Sequence, residues 1–166
     1  MELLNFDCDT KEIFENIIVA RETYGIAYLE VLRNAAGEVN QIEFIEDVAS
    51  VEKTKPLGDY VETEYKFQGK TISRRKQFRK YKQSKNGKLV YFKEFGDKRI
   101  MDKNTGEYVK NIPVEKQANE ILEFKLGSKP YGQVRWMGQS LGIDGSRKAE
   151  NLNNNYFENG RHTPMA

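Results

Sequence analysis

Three turn signals punctuate the first two thirds of the chain, each set between runs of β-forming residues. Asn34 to Gly37 separates Ile26 to Arg33 from Gln41 to Val48; Asn86-Gly87 separates basic Lys76 to Lys85 from apolar Leu89 to Phe95; Lys103 to Gly106 separates Arg99 to Asp102 from Glu107 to Lys110. An Asn-Gly pair tolerates the positive φ angles of a two-residue hairpin turn, so these runs are directed into antiparallel hairpins. Ile121 to Leu126 reads as one further strand. Helical patterns flank this β-rich body. Asp9 with Glu12 three residues on opens a helix that places Ile13, Phe14, Ile17, Ile18 and Tyr24 on one face and stops at Gly25. Near the other end, Trp136, Met137, Ser140, Leu141, Ala149, Leu152 and Tyr156 recur at three- and four-residue steps, and Asn159-Gly160 supplies a stop. Gly142 and Gly145 each cost about 1 kcal/mol in a helix interior relative to Ala, which predicts a bend or break near residues 142–145. The expected class is α+β: antiparallel β-hairpins with an N-terminal helix and a long C-terminal helix.

A length of 166 residues allows one domain with a real core and leaves little room for two. No apolar run approaches the length of a bilayer span, and a start carrying Glu2, Asp7, Asp9 and Glu12 lacks the basic character of a secretory signal. The expectation is a soluble, intracellular chain with no membrane partner. The single cysteine, Cys8, and the single histidine, His162, leave no material for an intrachain disulfide or a Cys/His zinc site. Cys8 reads as a small hydrophobe, and His162 follows the helix stop with nothing nearby to suggest a ligand or a triad. No Gly-rich phosphate loop occurs, since Gly142 to Gly145 is neither a P-loop nor a dinucleotide fingerprint, and no cofactor is expected.

A formal net charge of +2 hides a strong segregation. Residues 1–64 carry 15 acidic and 5 basic side chains, whereas residues 65–93 carry 11 basic and none acidic. Within the second block Arg74, Arg75, Lys76, Arg79, Lys80 and Lys82, with Lys66 and Lys70 before them and Lys85 and Lys88 after, are interleaved with Tyr65, Phe67, Phe78 and Tyr81. Cations that neutralise phosphates and aromatics that stack on bases make this the sequence of a nucleic-acid surface. A solvated hairpin with an aromatic inward face would read the same way. A third reading pairs the acidic block of one subunit with the basic block of its neighbour, because head-to-tail contacts bring different patches together.

Glu123-Phe124-Lys125 has the form of the Glu-x-Lys end of a metal-dependent nuclease site, in which alternate strand residues point to one side. Such a site would need Asp97 or Asp102 on a neighbouring strand to share Mg²⁺. Any half-exposed strand also generates this triplet, and the expectation is that the chain is not an enzyme. Glu43, Glu46 and Asp47 are too loosely spaced for a carboxylate pair doing acid–base work. Trp136, at helical spacing with Met137 and Leu141, reads by default as core, although a helix built to pack against another subunit would expose such a face.

The last quarter of the chain carries a more specific pattern. A turn at Pro130, Tyr131 and Gly132 and then Trp136 lead into Gly145-Ser146-Arg147-Lys148-Ala149-Glu150-Asn151-Leu152-Asn153 and end in Tyr156-Phe157-Glu158-Asn159-Gly160. This run resembles tailed-phage portal proteins of the branch found in many prophages. Residues 92–97, 118–125 and 24–31 resemble, more weakly, strands that precede it in that family. Gln133, where relatives often have Pro, and the additional Gly142 depart from the pattern. The resemblance implies an α+β wing-like domain over residues 1–128 and a turn with a stem-like helical segment over 129–166. It also implies a fragment of a longer protein whose channel loops, remaining stem and crown are absent. The implied protein is a ring homo-oligomer, commonly dodecameric, at one capsid vertex of the virion, assembled in the host cytoplasm. Its implied partners are the terminase that packages DNA, capsid and head-tail adaptor proteins, and double-stranded DNA passing through the ring.

Overall fold

Helix α1 spans Thr10–Tyr24, with Asp9 at its N-cap position and Gly25 at its C-cap. Asp9 makes no side-chain capping bond, so the first-turn carboxylate of Glu12 interacts with the helix dipole only as a charge. Gly25 adopts φ 76°, and its amide donates to the Arg21 carbonyl at 3.0 Å, closing the helix as the sequence predicts. The buried face differs from expectation. Ile13, Ile17 and Ala20 are buried, whereas Phe14, Ile18 and Tyr24 are exposed. At 3.6 residues per turn the three buried positions span only about 60° of arc, a narrow strip laid on the sheet.

The computed structural model describes residue 5 and residues 7–56, 60–85 and 87–159 of the chain. These form two compact units, Met1–Gln133 and Val134–Ala166. In the first, the strands are β1 (Ile26–Arg33), β2 (Val39–Phe44), β3 (Val51–Lys53), β4 (Val61–Phe67), β5 (Lys70–Lys76), β6 (Lys80–Lys85), β7 (Lys88–Glu94) and β8 (Glu120–Lys125). Six build a sheet in the order β2-β1-β8-β7-β6-β3, while β4 and β5 form a separate two-stranded ribbon. The fold is α+β, as expected, with two departures in detail. The pair β7–β8 is parallel, over Lys93↔Glu120 and Glu94↔Ile121 only, because the long connection from residue 95 to 119 returns the chain in the same direction. The expected hairpin around Lys103 to Gly106 reduces to a single bridge, Met101↔Tyr108, beyond a turn in which Asp102 accepts from the Asn104 amide at 2.7 Å. Of the Asn86-Gly87 turn, Asn86 lies outside the described residues; Lys85↔Lys88 pairing and Gly87 at φ 74° show a two-residue loop. The second strand is shorter than expected, since residues Val48–Ser50 form a 3₁₀ turn.

The core gathers Ile13, Ile17 and Ala20 of α1 with Ala27, Tyr28 and Leu29 of β1, Tyr81 of β6, Phe92 of β7 and Ile121 of β8. Tyr28 and Tyr81 meet edge to face, 5.9 Å between ring centres, bringing β1 and β6 together although β8 and β7 lie between them in the sheet. Gly25 also sets the position of the turn at Tyr131-Gly132. The Leu126 amide donates to the Gly25 carbonyl at 2.8 Å, the Gln133 amide returns to Leu126 at 3.0 Å, and a Cβ on Gly132 would lie 1.8 Å from the Gly25 carbonyl oxygen. The glycine in that sequence pattern is therefore a backbone crossing point.

The second unit holds a 3₁₀ turn, Arg135–Gln139, and α2, Ser140–Asn159. Helix α2 runs through Gly142 and Gly145 without the expected break. Glycine lowers helix propensity but, unlike proline, leaves the backbone hydrogen bonds intact. Trp136, Met137 and Leu141 are exposed, which overturns their default reading as core. The expected stop at Gly160 lies outside the described residues. No described helix is long and apolar enough to cross a membrane.

Substituting Gly132→Ala should force the turn away from Gly25 and destabilise the first unit by about 1–3 kcal/mol, the usual cost of overpacking against unyielding atoms. Urea unfolding of wild type and variant would measure it; Gly37→Ala is a poor control because Gly37 sits at φ 83°, whereas Gly138→Ala meets open space.

Candidate subunit or nucleic-acid interface

The six basic residues singled out in the sequence do not form one surface. Arg74, Arg75 and Lys76 end the ribbon strand β5, Arg79 lies in the connection, and Lys80 and Lys82 belong to β6 of the main sheet. Strand alternation sends Arg75 to the ribbon face opposite Arg74, where it pairs with Glu62 at 3.1 Å. Lys76 pairs with Glu94 at 2.7 Å and lies 4.6 Å above the Phe78 ring. The Arg79 amide donates to the other Glu94 oxygen at 2.8 Å. Lys80 donates to the Gly106 carbonyl at 2.5 Å and lies 4.6 Å from the Tyr108 ring centre. Lys82 pairs with Glu52 at 2.9 Å, and that hydrogen bond raises its pKa. Part of the basic block is thus neutralised by the chain's own acids, two of them, Glu52 and Glu62, from the acidic first block. Of the interleaved aromatics, Phe78 and Tyr81 are buried and cannot stack on bases, whereas Phe67 is exposed.

The carboxylates weighed for metal chemistry are engaged elsewhere. Glu123 of β8 accepts from Lys53 Nζ at 2.8 Å and from the Tyr81 hydroxyl at 3.3 Å, with Lys125 Nζ 3.8 Å away. The Lys53 side chain is buried, and burial lowers its pKa, offset in part by the hydrogen bond and the charge of Glu123. Burial next to that same carboxylate drives the Tyr81 hydroxyl far above its ordinary range. Asp97 is fully buried and accepts from Arg99 Nη2 at 2.8 Å and from the Tyr108 hydroxyl at 2.9 Å. Burial pushes its pKa up, but the Arg99 and Tyr108 hydrogen bonds and the Arg99 charge outweigh it and hold the carboxyl below its ordinary value. Asp102 caps its own turn. Neither aspartate joins Glu123, and among the described residues no three His, Cys, Asp or Glu side chains converge on a metal-sized site. Glu43, Glu46 and Asp47 border an open hollow of about 540 Å³ with Glu30 and Lys85. Cys8 packs against the core; burial, then Glu12 and Asp7, push its thiol pKa up and away from reactivity. His162 lies outside the described residues.

Sequence reasoning missed two features. Lys53 and Arg33, which hold the buried carboxylates of β8, look like ordinary surface cations in strand patterns; only sheet order reveals their role. The outer face of α1 was assigned to the core, although Glu12, Glu15 and Lys11 interrupting the apolar positions signal an exposed side.

With this geometry in view, comparison with known proteins gives two curated relatives from Bacillus subtilis (strain 168). The chain is 44% identical over 167 residues to the phage-like element PBSX protein XkdE and 41% identical over 170 residues to the uncharacterized protein YqbA. The matches take in 98% and 100% of this chain and 33% of each relative, so the chain spans about a third of their length. The similarity to XkdE associates the chain with prophage proteins. No family profile matches the chain, and no solved structure matches it.

Asp97 makes stability depend on acid. Its depressed carboxyl contributes stability that is fully present above its ordinary value of 3.8 and is lost as pH falls through the lower folded value. Asp97→Asn should therefore cost about 2 kcal/mol near pH 7, with the gap to wild type closing below pH ~3.8 in parallel urea titrations.

Proposed function

We propose that this chain is the wing and first core-helix section of a phage portal ring protein, a conduit through which DNA enters and leaves the capsid. The observation that carries this reading is the state of α2. The residues that bear the portal resemblance form a helix whose Leu141, Leu152 and Tyr156 share one face and are 87%, 71% and 51% exposed. Gly145 lies on the same face and lets a neighbouring backbone approach closely. An amphipathic helix with its apolar stripe uncovered is built to pack against other helices, as a ring's core requires. The similarity to a phage-like element protein over nearly the whole chain supports the same reading.

In this role the section binds and positions and performs no covalent chemistry. Terminase, capsid and head-tail adaptor proteins engage the assembled ring, and double-stranded DNA passes through it. A free-standing nucleic-acid-binding domain has less support, because Arg75, Lys76 and Lys82 already hold carboxylates and Lys80 holds a carbonyl.

Size exclusion coupled to light scattering, across a concentration series at low and high salt, tests the proposal. Discrete higher-order species are expected, and Leu141→Asp with Leu152→Asp should shift them to monomer at least about tenfold further up the concentration series, with unchanged far-UV circular dichroism from the β-rich unit. A monomer at every concentration, together with salt-sensitive binding of short duplex DNA, would favour the nucleic-acid alternative instead.

A further inference from the structure

We propose that the notch beside the second half of β8 receives an extended peptide strand of another protein, one that alternates apolar and acidic side chains. Strands β7 and β8 run together only as far as Phe95, whose amide donates to the Ile121 carbonyl at 3.0 Å; the chain then leaves the sheet through Gly96, at φ 89°. β8 continues alone to Lys125. The carbonyls of Asn119 and Ile121 both accept from β7 amides at 3.0 Å, so by the two-residue period Glu123 and Lys125 turn their own amides and carbonyls to that same side. Nothing of β7 remains there to meet them, and among the described residues no other backbone group does. A strand edge in this state takes up a further strand through the same main-chain bonds.

Side chains around the hollow define the occupant. Glu94 lies opposite Ile121 in the ladder and Glu123 follows two residues on, so both point to one face; the Glu94 amide donates to the Arg79 carbonyl at 3.2 Å, which sets Arg79 beside them. Phe95 and Leu122 alternate to the other face. Both carboxylates are already held, Glu94 by Lys76 at 2.7 Å and Glu123 by Lys53 at 2.8 Å, with Lys125 3.8 Å from Glu123 as well. The Arg79 guanidinium has no acidic partner among the described residues, and cations outnumber carboxylates on this face. An acid on the incoming strand supplies that partner, while the residues on either side of it turn toward Phe95 and Leu122. A free phosphate would satisfy Arg79 but leave the β8 peptide groups unpaired. Within this chain the runs of that pattern, Leu29 to Val31, Ile42 to Phe44 and Val61 to Glu64, are already strands, so the donor is a different protein. The site stands whether or not the chain builds a ring.

Nuclear magnetic resonance of the isotope-labelled chain, titrated with the blocked peptide acetyl-Val-Asp-Val-Asp-Val-amide, tests this. The Glu123 and Lys125 amides should exchange rapidly with solvent in the free protein and at least about tenfold more slowly at saturating peptide. A peptide with Lys at both acidic positions should bind about tenfold more weakly, and Arg79→Gln should remove most of that preference while leaving the spectrum of the sheet unchanged. A peptide N-methylated at alternate residues, which has lost the donors of one edge, should not bind when that edge is the one required. Slow exchange at Glu123 and Lys125 in the free protein would overturn the proposal by showing the edge already closed. Equal binding of the acidic and basic peptides would overturn it too, as would a failure of the acidic peptide to perturb either amide. Inorganic phosphate shifting the Arg79 signals where the peptide does not would reassign the notch to a free anion.

Discussion

The first unit depends on the insertion of β8 between β1 and β7. Without it the chain would hold two separate groups of strands, β2-β1 and β7-β6-β3, the first of them a two-stranded pair that is marginal in water. Ile121 near its start is fully buried, but β8 also carries Glu120 into the interior and half-buries Glu123. A buried carboxylate left unpaired costs several kcal/mol, so the strand is tolerated only where cations meet it. Arg33 of β1 grips Glu120 through two nitrogens at 2.9 and 3.0 Å, and Lys93 of β7 approaches it at 3.5 Å. Lys53 of the edge strand β3 and Tyr81 of β6 serve Glu123. The β7–β8 ladder covers only two residues, and beyond it a hollow of about 280 Å³ is lined by Arg79, Tyr81, Glu94 and Glu123. Side chains from strands on both sides thus hold the sheet together where the backbone ladder does not.

That arrangement changes the meaning of the charge segregation in the sequence. A linear block of 11 basic residues invites the view of one cationic surface. Folding divides it between a ribbon and a sheet and spends much of it on Glu52, Glu62 and Glu94. Among the described residues, Lys70 and Arg74 remain without an ion pair on one face of the ribbon, where the acids have been turned away by strand alternation, and Lys85 and Lys88 remain so beside the Gly87 turn. Electrostatic steering follows the field at the surface, and here the field follows register more closely than it follows composition.

Local rules made much of the fold legible. The αL glycine at Gly25, the Asx turn at Asn34 and the two-residue loop ending at Gly87 are encoded in neighbouring residues, and each stands where local chemistry puts it. The strand limits of β1 and β8 follow from their β-branched and apolar runs. The parallel β7–β8 pair was not legible, because nothing within either strand specifies a partner separated by the long 95–119 connection. The candidate interface fared similarly. Arg74 and its five companions were easy to single out by type, but their partners lie on other elements of the sheet. Phe14 and Ile18 were misassigned because a 3.6-residue period identifies an apolar arc without saying how much of it the sheet will cover.

Exposed apolar area ties these observations together. A soluble monomer rarely leaves several large side chains uncovered side by side, since each buried one contributes about 1.5–3 kcal/mol. This chain does so in three places: on α1, on the far half of the ribbon and along α2. Scattered exposure would need no explanation, but here each patch has its own regular geometry. A single two-fold contact could cover only one self-complementary patch. On the proposed reading, distinct patches let each copy meet two neighbours by different faces, and closing such a chain of contacts produces a ring. On the proposed reading, the surfaces that look like defects in an isolated chain are the ones its assembly consumes.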